Sequence, residues 1–205
     1  MSFFTTFTTL GVRAMNNQQF IDILSTKLEG RLLKMTKHMF HVLAYGADDV
    51  IWLITDGVVL AERNNADGTQ IGCGIYGPGM LAGITALNGE SGVFTCKPLK
   101  DTTVQAYRTK ELIDLMQSDS ELMMYIIQFL CGRFRFMMNS LEMNSLRSVP
   151  ERIEYFERML LLYDDPNLLD YGDNVVAEYL GIHPASISRA KRKMYQEDKE
   201  KPNNN

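Results

Sequence analysis

Hydrophobic positions recur with a helical period near the N-terminus and change to a strand-like pattern further along the chain. In residues 16–30 the apolar side chains fall at helical spacing, and Gly30 closes the segment, which predicts one amphipathic helix. Its apolar positions are Phe20, Ile23, Leu24 and Leu28. Residues 38–107 are instead rich in Val, Ile, Thr, aromatic residues and Gly, a composition that predicts β-strands.

Turn signals divide this second segment into several short strands. Residues 50–62 (VIWLITDGVVLAE) predict two strands joined by a turn at Asp56-Gly57, and a further turn is predicted at Asp67-Gly68. Residues 74–83 (GIYGPGMLAG) predict a loop, and residues 101–108 (DTTVQAYR) predict another strand. Short strands with turns roughly every 8–12 residues are typical of a small antiparallel sandwich or barrel.

Helical spacing returns after Lys110, where one helix is predicted from Asp119 or Ser120 to about Asn144. Its first apolar stripe has alternating steps of four and three residues, as in a coiled-coil seam, and comprises Met123, Ile127, Leu130, Phe134, Met137 and Leu141. The second stripe comprises Leu122, Ile126, Phe129, Phe136 and Met143. A helix with two apolar sides needs two partners. We expect these to be the β domain of the same chain and the same helix of a second subunit; the alternative is burial within one monomer.

Two more helical segments follow a break at Ser148-Val149-Pro150. Residues 151–163 (ERIEYFERMLLLY) predict an amphipathic helix, and residues 173–194 (DNVVAEYLGIHPASISRAKRKM) predict two short helices joined by a turn. Asp173 is the predicted N-cap of the first short helix. The turn glycine lies four residues after a small residue and six before an apolar one, which is helix-turn-helix spacing: Ala177, Gly181 and Ile187.

The charge of the 205-residue chain is −4 in total, but its cations are concentrated near the C-terminus. Residues 189–205 carry six Lys and Arg against three acids, whereas the preceding residues carry 15 against 22. The body of the protein is therefore expected to repel polyanions, and the C-terminal segment to attract them. The alternative is that these cations form a solvated helix face.

The second short helix carries the candidate DNA-binding residues. Ile187 is predicted to face inward, which leaves a polar face for DNA that comprises Ala185, Ser186, Ser188, Arg189 and Arg192. Arg189 is the candidate for a two-bond contact to guanine, with a phosphate contact as the alternative. Lys191 and Lys193 are expected to neutralise backbone phosphates or to remain solvated.

Cysteine and histidine spacing argues against a disulfide framework and a metal centre. Cys73, Cys96 and Cys131 are widely spaced without a CxxC pair, so each is predicted to be a small buried hydrophobe. His38 and His41 lie three residues apart without a following carboxylate cluster. No catalytic residue, metal or cofactor is predicted, and a cupin-type β-barrel enzyme, which needs convergent His and Glu ligands, is the enzymatic alternative.

The sequence also predicts no membrane association. It has no run of about 18 apolar residues, and its first residues, MSFFTTFTTL, lack the positive region of a signal peptide. We therefore expect a cytoplasmic protein.

Residues 35–196 as a whole resemble the Crp/Fnr family of bacterial transcription regulators. WLITDGVVLAERNNADGTQIG resembles the hairpin region of the family's β-roll, YGPGMLAG its glycine turn, and VVAEYLGIHPASISR its recognition unit. The resemblance implies an α+β fold with a jelly-roll-like antiparallel β-roll and effector-like domain (1–118), a dimerisation helix (119–147) and a DNA-binding helix-turn-helix (148–205). Only about ten residues follow Met194, so most of the family's two-stranded wing is expected to be absent and the tail disordered.

By resemblance the expected function is that of a homodimeric, sequence-specific regulator that binds an inverted-repeat operator in double-stranded DNA, with RNA polymerase as a further candidate partner. The alternative is a protein-interaction regulator whose degenerate helix-turn-helix binds another regulator or polymerase instead of DNA. In the Fnr branch the recognition helix reads Glu-x-x-Ser-Arg. Ser188 and Arg189 match this motif, whereas Ala185 replaces the glutamate.

The effector end of the sequence departs from the cyclic-nucleotide-binding members. Those members have Gly-Glu where this chain has Gly83-Ile84, and they have a downstream arginine that residues 88–98 (NGESGVFTCKP) lack. Burial of a phosphate charge without a cationic partner is costly, so we expect no response to cyclic AMP. The cysteine cluster of the iron–sulfur branch is also absent, since no cysteine precedes Cys73.

Overall fold

A computed structural model describes residues 16–37, 41–45, 50–64, 70–161 and 173–200, and the structural statements below concern these ranges. The protein is α+β. The described helices are α1 (Asn17–Lys27), α2 (Thr109–Ser118), α3 (Ser120–Ser145), α4 (Val149–Leu161), α5 (Asp173–Leu180) and α6 (Pro184–Glu200). The described strands are β1 (Arg31–Met35), β2 (His41–Tyr45), β3 (Val50–Asp56), β4 (Val59–Asn64), β5 (Gln70–Tyr76), β6 (Leu81–Ala82), β7 (Gly92–Pro98) and β8 (Thr102–Arg108).

The strands form two antiparallel sheets of four, in the orders β1-β8-β3-β6 and β2-β7-β4-β5. The predicted turn at Asp56-Gly57 is present, but β3 and β4 lie in different sheets and do not pair with each other. Gly57 has a φ of +87°, and a Cβ there would lie 2.5 Å from the Cα atom of Thr102. The turn therefore carries the chain from one sheet to the other, where close approach to the backbone of β8 requires glycine.

Two apolar clusters hold these sheets in place. The first combines side chains from both sheets, and it includes Met35, Leu43, Trp52, Val59 and Cys96. The second packs helices against β3, β6 and β8, and it includes Phe20, Leu24, Ile51, Tyr107 and Ile126. Strand β8 contributes to both clusters, because successive side chains of a strand point to opposite faces: Val104 and Ala106 lie in the first cluster and Tyr107 lies in the second.

The long helix α3 begins and ends close to its predicted bounds. Asp119 precedes it and accepts a hydrogen bond from the backbone N–H of Leu122 at 3.0 Å, which satisfies one free donor of the first turn. Most of the predicted second stripe is buried in the chain, since Leu122, Ile126, Phe136 and Met143 are at most 5% exposed. The first stripe is exposed, so the two stripes have different environments.

The chain folds as two compact units, and the boundary between them falls between Gly132 and Arg133 within α3. In the C-terminal unit α4 begins with a capping box, because the side chains of Ser148 and Glu151 each accept a hydrogen bond from the other's backbone N–H. Helix α6 runs to Glu200, so the predicted disorder after Met194 is wrong as far as residue 200. The turn predicted at Asp67-Gly68 lies outside the described residues.

Cysteine burial agrees with the sequence expectation at one position and differs at another. Cys96 is buried in β7, where desolvation raises its thiol pKa to about 12. Cys131 is exposed on α3, so the expectation of burial is wrong there, because the helix turns this position away from the buried stripe.

In the described part of the chain no helix is both long and apolar enough to cross a bilayer. No group of three or more potential metal ligands occurs in the same ranges.

Candidate nucleic-acid interface

Helices α5 and α6 are joined by a tight turn at residues 181–183. Gly181 has a φ of +63°, in the left-handed region that favours glycine. The N–H of Gly181 donates to the carbonyl of Glu178 at 3.4 Å, and the N–H of Ile182 donates to the carbonyl of Ala177 at 2.9 Å. This pair of bonds is a Schellman motif, and it fixes where α5 ends and in which direction α6 leaves.

A small apolar core holds the two helices together. Its members are buried on both helices and comprise Val176, Ala177, Leu180, Ile187 and Ala190. Ile187 is fully buried, as predicted from its distance to the turn glycine. Small side chains at positions 177 and 190 let the helices approach closely, and the opposite face of α6 consequently points to solvent.

The first turn of α6 is capped by His183, a residue that no pattern in the sequence marks as functional. The backbone N–H of Ala185 donates to Nδ1 of His183 at 3.2 Å, and that of Ser186 donates to the His183 carbonyl at 2.8 Å. Pro184 follows as the first helical residue, where it lacks only an N–H that would have no helical partner. The two bonds order the end of α6 that carries Ala185 and Ser186.

The predicted DNA-binding residues fall on or beside one exposed surface of α6. Ala185, Ser188, Arg189, Arg192 and Lys193 are exposed, and Ser186 and Lys191 are partly exposed. The Nε of Arg189 donates to the carbonyl of Ala185 at 3.1 Å, which directs its side chain back toward the N-terminal end of the helix. The three exposed cations, Arg189, Arg192 and Lys193, give this surface a positive charge.

Asp173 contacts two of the predicted DNA-binding residues, a relationship that the sequence did not reveal. Its Oδ2 accepts a hydrogen bond from Ser188 Oγ at 2.6 Å, and its Oδ1 accepts one from Lys191 Nζ at 2.8 Å. The bond from Lys191 first, and that from Ser188 second, hold the pKa of Asp173 below its usual value. Helix α5 begins at Asp173 itself, and both carboxylate oxygens are directed toward Ser188 and Lys191 of α6 instead of toward the first-turn N–H groups that the predicted N-cap would bind.

The exposed stripe of α3 is a second candidate surface. Five of its predicted members are 39–65% exposed, and Met123 is 36% exposed. Met124 and Met138 on the same helix are also exposed. A contiguous row of large apolar side chains in water is typical of a surface that another protein covers.

The segments of the β-roll that were compared with the cyclic-nucleotide-binding members contain Gly83-Ile84 and residues 88–98. Gly83 has a φ of +82° and precedes a short 3-10 helix that begins at Ile84, whose side chain packs against the second apolar cluster. Residues 92–98 form β7, in which Lys97 lies 4.0 Å from a carboxylate oxygen of Glu62. The first apolar cluster places Trp52, Cys96 and Val104 between the two sheets. His41 lies in β2, and His38 lies outside the described residues.

No protein family model matches the sequence, and no curated protein matches it. Solved structures match the fold. FixK2 from Bradyrhizobium japonicum is 17% identical, with 83% of this chain and 87% of FixK2 covered and a TM-score of 0.67. The c-di-GMP-responsive global regulator CLP of Xanthomonas campestris is 13% identical, with 88% and 93% covered and a TM-score of 0.66. A Eubacterium rectale protein assigned to the Crp/Fnr transcriptional regulators is 18% identical, with 95% and 88% covered and a TM-score of 0.60.

Proposed function

We propose that this chain, whose fold is that of the Crp/Fnr regulators, is a homodimeric transcription regulator that binds DNA in a sequence-specific manner. The observation that carries the proposal is the orientation of α6. Ile187 and Ala190 are buried against α5, while Arg189, Arg192 and Lys193 are exposed on its other side. A helix held in this way presents cations and small polar residues together, as a recognition helix in the major groove does.

The positions along α6 favour different roles for its cations. Arg189 lies in the second turn of the helix, and its guanidinium is directed toward the N-terminal end, the part of a recognition helix that approaches base edges. Arg192 and Lys193 lie further along, where phosphates are the natural partners. Ala185 and Ser186, beside the His183 cap, are small enough for the helix to approach the bases closely.

The exposed stripe of α3 supports a dimer. Its spacing is that of a two-stranded coiled coil, and its side chains are apolar and exposed in the single chain. Pairing with the same stripe of a second copy would remove this surface from water and place two α6 helices in a two-fold arrangement. The operator would then be an inverted repeat in double-stranded DNA.

The proposed regulator does not respond to cyclic AMP. Ile84 takes the place of a ribose-binding carboxylate and packs against the second apolar cluster. Lys97, the cation of residues 88–98, lies beside Glu62. Residues 1–118 would therefore serve as an effector-like domain without a cyclic-nucleotide site, residues 119–147 as the dimerisation helix, and residues 148–205 as the DNA-binding domain. We expect the protein to act in the bacterial cytoplasm, with RNA polymerase as a further candidate partner.

Selection of bound duplexes from a random DNA pool with the purified protein tests this function. The expected result is an enriched inverted repeat, with binding that weakens steeply as salt is raised. Duplexes that bind no better than the starting pool would contradict sequence-specific recognition. In that case the α5–α6 pair would be assigned to contact with another regulator or polymerase, and retention of RNA polymerase by the immobilised protein would be the next measurement.

A further inference from the structure

Asp173 joins the first turn of α5 to two residues of the proposed DNA-facing helix. Both of its carboxylate oxygens are used, one by Ser188 Oγ at 2.6 Å and the other by Lys191 Nζ at 2.8 Å. The side chains of Lys191 and Asp173 are 20% and 34% exposed, so the ion pair lies at the surface of the unit. We refer to Asp173, Ser188 and Lys191 together as the Asp173 cluster.

The cluster changes the charge that α6 offers to a polyanion. Between Gly181 and Gln196 the helix segment carries four cations and no acid. Because the carboxylate of Asp173 neutralises the ammonium of Lys191, the field of this surface is weaker than that of the α6 sequence alone. The hydroxyl of Ser188, which points to the same carboxylate, has its proton committed to Asp173 instead of to a phosphate oxygen.

The fold does not depend on these contacts. Helices α5 and α6 are already fixed by the Schellman turn and by the burial of Ile187, Ala177 and Leu180. A partly exposed ion pair adds little to folding stability in comparison with such a core. A phosphate that approaches α6 can therefore compete with Asp173 for the ammonium of Lys191 without disruption of the unit.

We propose that Asp173 is a positioning residue that limits DNA affinity by holding Ser188 and Lys191 away from the phosphate backbone. The proposal rests on the DNA-binding function proposed above. In this arrangement Asp173 weakens binding to every duplex, because the number of phosphates neutralised sets the sequence-independent part of the affinity. The affinity ratio of specific to non-specific duplexes, which depends on base recognition by Arg189, is left unchanged.

The test compares Asp173→Asn with the wild type on the selected duplex and on a scrambled duplex over a salt series. Asn removes the charge and retains the shape of the side chain. Glu154→Gln is the matched control, because Glu154 is exposed on α4 of the same unit and loses an equal charge there. The double variant Asp173→Asn/Lys191→Ala shows whether Lys191 is the cation that gains the phosphate contact. Thermal melting of each variant verifies that the unit remains folded.

Asp173→Asn should bind both duplexes roughly tenfold more tightly at 0.1 M salt and steepen the salt slope by about one, as expected for one additional phosphate contact. The slope should return to the wild-type value in the double variant, and Glu154→Gln should leave it unchanged. Specificity, measured as the affinity ratio of the two duplexes, should stay constant, because a phosphate contact forms on both.

Three other outcomes separate this proposal from the DNA-binding proposal. If the wild type binds its selected site and Asp173→Asn has the same affinity and slope, the role of Asp173 is overturned while DNA binding stands. If only Asp173→Asn binds DNA, the restraint by Asp173 is supported and DNA binding by the wild type is refuted. If a folded Asp173→Asn variant and the wild type both fail to bind, both proposals are refuted.

Discussion

The ring of Tyr179 on α5 stacks against the ring of Phe156 on α4, with centroids 4.7 Å apart and planes inclined by 29°. Phe156 is fully buried. The hydroxyl of Tyr179 also lies 3.3 Å from Ser140 Oγ on α3. These contacts connect the helices of the C-terminal unit that precede α6, so the position of α6 depends on packing at Phe156.

Phe156→Ala should reduce the free energy of unfolding of the C-terminal unit by about 3–5 kcal/mol, because it leaves a cavity beneath Tyr179. Denaturant unfolding followed by circular dichroism measures the change. Tyr155→Phe is the control. It removes only an exposed hydrogen bond to Glu142 at 2.7 Å and should cost less than about 1 kcal/mol. Equal losses in both variants would contradict a core role for Phe156.

Much of the fold follows from local patterns in the sequence. The predicted helices at residues 16–30 and from Asp119 to about Asn144 form close to their predicted bounds, because apolar periodicity and capping residues are encoded within each segment. The turn at Asp56-Gly57 also forms. The assignment of β3 and β4 to different sheets was not predictable, since a turn sequence specifies a reversal but not which strand lies alongside.

In the candidate site too, features set by residues close in sequence were predictable, and contacts between residues far apart in sequence were not. Ile187 is buried as its spacing from Gly181 predicts, because both lie in one short supersecondary unit. The contacts of Asp173 with Ser188 and Lys191 span 15 and 18 residues and exist only once the turn has placed α6 beside α5. No sequence spacing rule covers such a pair, and the sequence around His183 does not distinguish a capping ring from an ordinary turn residue.

Asp119 should make the stability of the N-terminal unit depend on acid pH. The hydrogen bond from Lys27 first, and that from the Leu122 N–H second, lower the pKa of Asp119 in the folded state. A carboxyl group whose pKa is lower in the folded than in the unfolded state stabilises the fold at pH values above its unfolded pKa of about 3.9. This stabilisation is lost as the pH falls through the pKa of the folded state. The unfolding free energy of the wild type should therefore approach that of Asp119→Asn below about pH 4.

A pair of Asp119 variants separates charge from capping in the same experiment. Asp119→Asn retains a side-chain oxygen for the N–H of Leu122, whereas Asp119→Ala loses both the charge and the cap and should cost about 1 kcal/mol more at neutral pH. If the free energies of unfolding of the wild type and Asp119→Asn vary in parallel between pH 2 and 7, the charge of Asp119 contributes nothing to folding stability.

Phe134→Asp should convert the proposed dimer into a monomer. Phe134 is 65% exposed in the single chain and would be covered in the coiled-coil seam, where an unpaired carboxylate costs several kcal/mol. Sedimentation velocity measures the assembly. Asn144→Asp adds the same charge at an exposed position of α3 outside the seam and should remain dimeric. If Phe134→Asp dimerises with the same dissociation constant as the wild type, this stripe is not part of the dimer interface.

Cyclic AMP should not bind below millimolar concentration in isothermal titration calorimetry. Ile84 packs against the second apolar cluster instead of offering a carboxylate to ribose, and Lys97 lies beside Glu62. A cyclic phosphate beside residues 88–98 would therefore be desolvated without compensation by an arginine from that segment. Micromolar affinity would overturn this interpretation of the β-roll. Adenosine, which lacks the cyclic phosphate, serves as the control for weak binding of the nucleoside alone.

Arg189 and Arg192 should have separable effects on DNA binding. Arg189 is directed toward the N-terminal end of α6 by its bond to the Ala185 carbonyl, so Arg189→Ala should cost roughly 1–3 kcal/mol on the selected site and relax the preference at one base pair per half-site. Arg192 lies one turn further along, where phosphate is the expected partner. Arg192→Ala should weaken binding to all duplexes similarly and make the salt slope shallower by about one.

Binding isotherms of both variants on selected and scrambled duplexes, each over a salt series, distinguish these roles. A base contact forms only where the base is correct, so its removal narrows the difference in affinity between the selected and the scrambled duplex. A phosphate contact is present on every duplex, so its removal leaves that difference intact and changes the slope. If Arg189→Ala instead weakens binding to both duplexes equally and makes the salt slope shallower, Arg189 contacts phosphate. Base recognition must then come from Ala185, Ser186 and the shape of the DNA.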